Sequence, residues 1–194
     1  MESTLLNLPI PDRIIKIACQ FEGLREVKSN TTWNNALLTE KLLRVMKPTG
    51  WKPPQPYCMA FVQGVLIEAL SLTPKSHHHS LRPVDPLDVD TLWEVKTKLC
   101  PHVLTSYNNL KPQISKAPQV GSVFFMQKGK SASGHAGIVL EAHKDHIVTI
   151  EGNTSPAPGS AEKDRNGDGI YRKKRALKFD KTDGLHLLGF YSPF

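Results

Sequence analysis

Apolar residues recur at helical spacing through the first half of the chain, and in short β-branched and aromatic runs through the second. The first pattern predicts helices over Asp12–Phe21, Trp33–Met46, Cys58–Leu70 and Asp88–Leu99. The start of the third is fixed from outside, because Pro53, Pro54 and Pro56 cannot stand in a helix interior and each disfavours helix in the residue before it. From Cys58 onward Phe61, Val62, Val65, Leu66 and Ala69 keep the helical period. The second pattern predicts strands at Ser122–Met126, Ala136–Leu140 and Ile147–Ile150, in a sheet running from Val120 to the end. Helices followed by antiparallel strands give an α+β fold, with N-terminal helices packed on a C-terminal antiparallel β-sheet.

A hairpin turning between Glu141 and His146 sets His135 opposite the segment from Glu151 to Asn153, subject to a one-residue register error. The 194 residues, 39% hydrophobic, suffice for one sizeable core. With no internal repeat and no linker between periodic regions, a single domain over 1–194 is expected. Ser71–Pro86 and Pro101–Pro118, rich in Pro, Ser, Asn and Lys, read as loops that either wall a groove or simply connect.

Candidate chemistry gathers where these elements meet. Cys58 falls in the first turn of its helix, where unpaired N–H groups and the positive end of the helix dipole favour a thiolate over a thiol of ordinary pKa, about 8.5. His135 enters one strand, and Glu151 and Asn153 leave the next on a shared face. A thiol, an imidazole and polar orienters are what nucleophilic attack on an amide carbonyl requires. Cys19, inside an amphipathic helix, and Cys100, before a proline, read as small packing residues.

Helical Cys58, Ser-Gly-His-Ala-Gly-Ile-Val at 133–139 and Thr-Ile-Glu-Gly-Asn-Thr-Ser at 149–155 together resemble the CHAP family of cysteine, histidine-dependent amidohydrolases and peptidases. Gly-Ser-Val-Phe-Phe at 121–125 is similar to that family's first sheet strand, Gly169–Arg175 to the strand after the Glu-x-Asn segment, and Ile15–Lys28 to its entry helix. The resemblance implies a papain-like fold, with Cys58 as nucleophile, His135 as base, Glu151 as its orienter and Asn153 as a fourth polar member. It also implies the substrate, bacterial peptidoglycan, cut at the muramoyl–alanine amide or at a peptide bond. Tyr57 stands where some members carry Gln or Trp. The Cys58 N–H is one expected oxyanion donor, with Gln55 or Tyr57 as the second. Calcium-dependent members carry acidic residues before the nucleophile, whereas Gly50–Tyr57 has none, so no cofactor or metal is expected.

Other features change this picture little. Asp164-Arg-Asn-Gly-Asp-Gly169 begins like a calcium loop, but Arg175 stands where the loop's bidentate Glu belongs, so a turn into a strand is the better account. His77–His79 has no Cys or acidic neighbours and reads as a surface cluster. The net charge of +7 and the cluster Arg172–Arg175 suit anionic polymers. No nucleic-acid partner is expected, since the basic residues are not interleaved with aromatics; on a strand alternate members of the cluster would face opposite sides, which leaves an ordinary solvated face as the plain reading. A non-catalytic basic wall-binding or nucleic-acid-binding protein is the alternative reading.

No stretch reaches the roughly 18 apolar residues of a membrane span. Glu2 replaces the basic start of a secretory signal, so the expectation is synthesis in the cytoplasm and action in the periplasm or cell wall after release or injection. An endolysin or an antibacterial secreted effector would fit, the latter with an immunity protein as partner.

Overall fold

The computed structural model describes residues 5–28, 30–72, 86–156, 167–180 and 183–194. The helices are α1 (Ile10–Ala18), α2 (Ala36–Met46), α3 (Cys58–Ser71), α4 (Pro86–Lys98) and α5 (Val103–Asn109). The strands are β1 (Glu26–Lys28), β2 (Thr32–Trp33), β3 (Val123–Lys128), β4 (Gly134–Ala142), β5 (His146–Thr154), β6 (Gly169–Ala176) and β7 (Leu185–Tyr191). β1 and β2 form a small antiparallel ribbon; the other five make an antiparallel sheet in the order β6-β5-β4-β3-β7. The fold is α+β, as the hydrophobic pattern predicts, and papain-like, as the resemblance implies.

α3 is the central element. All its residues from Cys58 to Leu70 except Glu68 are buried, so it is a core helix and not an amphipathic one. Gly64 in its middle has a packing reason: a Cβ there would stand 2.5 Å from the Val45 carbonyl oxygen on α2. α3 shares its core with Ala136, Ile138 and Ile150 of the sheet, while Phe124, Met126, Val139 and Leu187 form a smaller apolar cluster.

Three expectations change. The second helix starts at Ala36 and not at Trp33, because Asn35 caps it, its side chain accepting from Leu38 N at 3.0 Å, while Trp33 joins β2. The Pro101–Pro118 stretch is not all loop. His102 caps α5 through Nδ1, and a 3₁₀ turn at Lys111–Gln113 follows. Cys19 stands at the C-terminal end of α1 and, like Cys100, is only half-buried. His77–His79, most of Ser71–Pro86 and the segment Asp164–Asn166 lie outside the described residues. Among the described residues no helix is long and apolar enough to cross a membrane.

Candidate active site

Cys58 is the first residue of α3, buried to 6% exposure. The first intrahelical bond runs from Phe61 N to Tyr57 O at 2.8 Å, and no side chain caps the helix. The N–H groups of the opening turn therefore point past Cys58 without an acceptor inside the helix. Tyr57 is anchored on the opposite side. Its ring lies edge-on to Trp33 and Trp51, with centroids 5.4 and 6.3 Å away. Its hydroxyl accepts from Trp33 Nε1 at 3.2 Å and from the Asn153 N–H, and meets Glu26. Burial pushes this phenol well above its ordinary pKa. Trp51 Nε1 in turn donates to the Gln55 carbonyl at 2.9 Å, so the segment entering the helix is held by aromatic side chains on both flanks.

His135 comes from β4, paired with Met126 of β3. The register between β4 and β5 slips by one residue between Val139 and Glu141, after which Ile138 faces Ile150. Continued outward, that register brings Gly137 against Glu151. A Cβ on Gly137 would lie 2.8 Å from Glu151 Cγ, so glycine at this position is what lets the carboxylate lie across β4 toward His135. His135 Nε2 pairs with Glu151 Oε2 at 2.8 Å, and the ring also hydrogen-bonds Cys58, for which Nδ1 remains.

Glu151 is fully buried and fully engaged. Oε1 accepts from Thr149 Oγ1 at 2.6 Å and from Arg175 Nε at 2.8 Å; Oε2 accepts from Arg175 Nη2 at 2.5 Å besides its contact with His135. Burial alone would raise its pKa, but the Arg175 fork and His135 hold it well below the usual carboxylate range. The opposite balance acts on His135. Burial would lower its pKa, yet the hydrogen bonds to Cys58 and Glu151 and the negative charge of Glu151 raise it to about 9. Near neutral pH the imidazole therefore holds its proton, facing the Glu151 carboxylate through Nε2.

Asn153 sits in a β-bulge between Glu151 and Thr154 with φ 53°, a left-handed conformation Asn tolerates. Its backbone serves Tyr57, its side chain packs against Gly167, and it lines the groove. Among the described residues the polar partners of the His135 ring are Cys58 and Glu151.

An open groove passes on both sides of Cys58. One half, about 420 Å³, is walled by Gln55, Pro101, His102 and Val103, so the Pro101–Pro118 segment does contribute a wall. The other half, about 480 Å³, is walled by Lys128, His135, Asn153 and Arg175. Pro56, Cys58, Ser133 and Gly134 border both. Among the described residues no three His, Cys, Asp or Glu side chains are grouped to hold a metal ion.

Arg175 corrects the expectation of a plain solvated basic face. Alternation along β6 exposes Arg172, which pairs with Glu22 at 2.8 Å, and turns Arg175 in toward Glu151. Its only signal in the sequence was its place on the strand beside Glu151; Thr149 could have been found from its i, i+2 spacing to that residue.

No curated protein and no solved structure matches the chain. The family model of the CHAP domain matches residues 49–153, a span that holds Cys58, His135, Glu151 and Asn153. That is more than half of the 194 residues, and the chain belongs to the CHAP domain family, one of peptidoglycan hydrolase-type amidases and peptidases.

Proposed function

We propose that the protein is a cysteine-dependent peptidoglycan hydrolase that cleaves an amide bond through Cys58, His135 and Glu151. The observation that carries this is the His135 ring set between the thiol and a buried carboxylate. In the reactive pair the proton of Cys58 resides on His135, and the thiolate attacks the amide carbonyl carbon. The oxyanion that forms is received by the Cys58 N–H and the Gln55 side chain. Gln55 takes this role because it borders the groove, whereas the Tyr57 hydroxyl is occupied in the core. The imidazolium then gives its proton to the leaving amine. Water, deprotonated by His135, releases the acid product from the thioester and restores the thiol. Glu151 holds the ring and stabilises its charged form, and Asn153 shapes the groove wall. Action on a bacterial wall, by an endolysin or an injected effector, is the setting that this chemistry fits.

Mass spectrometry of soluble products from purified peptidoglycan treated with wild-type protein and with folded Cys58→Ala tests the reading. Fragments made only by the wild type are expected. A free stem peptide identifies a muramoyl–alanine amidase, and an opened cross-link identifies an endopeptidase. No release from several wall types would turn the reading toward wall binding.

A further inference from the structure

Strand alternation brings Lys128 to the same face of the sheet as His135, because Met126, two residues before it, pairs with His135. Arg175 reaches the same place from β6 through Glu151. Both line the half of the groove that also contains Cys58, and no Asp or Glu lines that half among the described residues. Arg175 commits Nε and Nη2 to Glu151, while Nη1 has no protein partner among the described residues. Lys128 is exposed, and its Nζ likewise has none there. The opposite half of the groove has a different character, walled by Pro101, Val103, Gln55 and His102, with no Lys or Arg lining it among the described residues.

We propose that the Lys128–Arg175 half of the groove is an anion subsite that takes a carboxylate of the substrate peptide beside the bond Cys58 attacks. A guanidinium nitrogen and an ammonium offer separate charged donors, which suit the two oxygens of a carboxylate. Two cations inside one pocket do not suit a nucleic-acid backbone, which needs a charged track extending past several nucleotides. The identity of the substrate rests on the hydrolase reading above; the subsite itself does not. Arg175 then serves two partners, one edge fixing Glu151 and the other meeting the ligand, so occupancy of the subsite and orientation of His135 are coupled through one side chain.

Alkylation of Cys58 tests the subsite without any hydrolysis. The thiolate sulfur attacks the methylene carbon of iodoacetate or iodoacetamide, a C–S bond forms and iodide leaves. The two probes differ mainly in the carboxylate charge. Labelling at Cys58 is read by mass spectrometry in low salt near pH 7, and the iodoacetate-to-iodoacetamide rate ratio is compared between proteins. Lys128→Gln should lower that ratio about threefold and Lys128→Glu about tenfold, an effect that weakens as salt screens it. The same ratio at Cys100 should not move. An unchanged ratio at Cys58 overturns the subsite.

The substrate assignment is tested with peptidoglycan fragments whose stem carboxylates are free or amidated. Amidation should reduce wild-type kcat/KM about tenfold, mainly through KM, and Lys128→Gln should shrink that discrimination. Equal cleavage of both forms by the wild type overturns the carboxylate assignment. A lowered alkylation ratio with neither form cleaved leaves the subsite standing and removes the hydrolase reading.

Discussion

Arg175 grips Glu151 with two nitrogens, Nε to Oε1 at 2.8 Å and Nη2 to Oε2 at 2.5 Å, inside a sheet that otherwise buries the carboxylate completely. A buried carboxylate is costly unless paired and hydrogen-bonded, and the three side chains around Glu151 meet that need. Removing one member of such a pair strands the other.

Arg175→Ala should therefore destabilise the fold by about 3 kcal/mol, the lower end of what breaking a buried pair costs. Arg175→Lys keeps a charge but not the fork, and should recover only part of that loss. Denaturant unfolding of the two variants measures both. If Arg175→Ala unfolds with the wild type, the pair contributes nothing and Glu151 is held by Thr149 and His135 alone.

Glu151→Gln removes the negative charge that helps His135 keep its proton. The wild-type imidazolium, with a pKa of about 9, should persist at neutral pH and be lost as pH rises through that value. In the variant this loss should come at lower pH, because the raising influences of Glu151 are gone. Turnover should fall less than in Cys58→Ala, since the nucleophile and base remain. The pH dependence of kcat/KM and of Cys58 alkylation reports the shift, and coincident profiles for wild type and variant would remove Glu151 from the proton bookkeeping.

Gly137→Ala tests the path by which the carboxylate reaches the ring. The new Cβ would stand 2.7 Å from Phe124 Cε1 and 2.8 Å from both Glu151 Cγ and the Ile150 oxygen. Something must shift, at a cost of about 1–3 kcal/mol for overpacking. A displaced Glu151 should also lower turnover beyond what the loss of folded protein explains. Thermal unfolding together with activity per folded molecule separates these effects, and unchanged values in both would mean the strand yields freely.

Much of this arrangement was legible because it follows from local patterns. The prolines before Cys58 set the start of α3, and β-branched and aromatic runs marked the strands that deliver His135 and Glu151. What local pattern could not supply was register and long-range pairing. The slip beside Leu140 moves the partners of His135 by one residue, which no composition signals. Arg175 looked like any member of a basic run until β6 was paired with β5. α5 was hidden because its stretch carries turn-forming residues, and a histidine acts as its cap where Ser or Asp is the usual sign. The second helix began late for a similar reason: Asn35 is a cap signal that the apolar period of Trp33 onward obscured.

The pair His135 and Glu151 also predicts how stability changes with pH. His135 holds its proton more tightly in the folded chain, at about 9 against an ordinary 6.5. Its contribution is whole below about pH 6.5 and disappears as pH rises through 9. Glu151 behaves in the opposite sense, its carboxyl held far below the ordinary 4.5. Its contribution is whole above about pH 4.5 and drains away as pH falls toward the folded value. The pair should thus stabilise the fold most between about pH 4.5 and 6.5. Thermal unfolding from about pH 3 to about pH 10 should show Tm declining on both sides of that window. In His135→Ala the alkaline decline should shrink, because the proton that folding retains is no longer there. Superimposable alkaline limbs for the two proteins would place the source of that decline in another group.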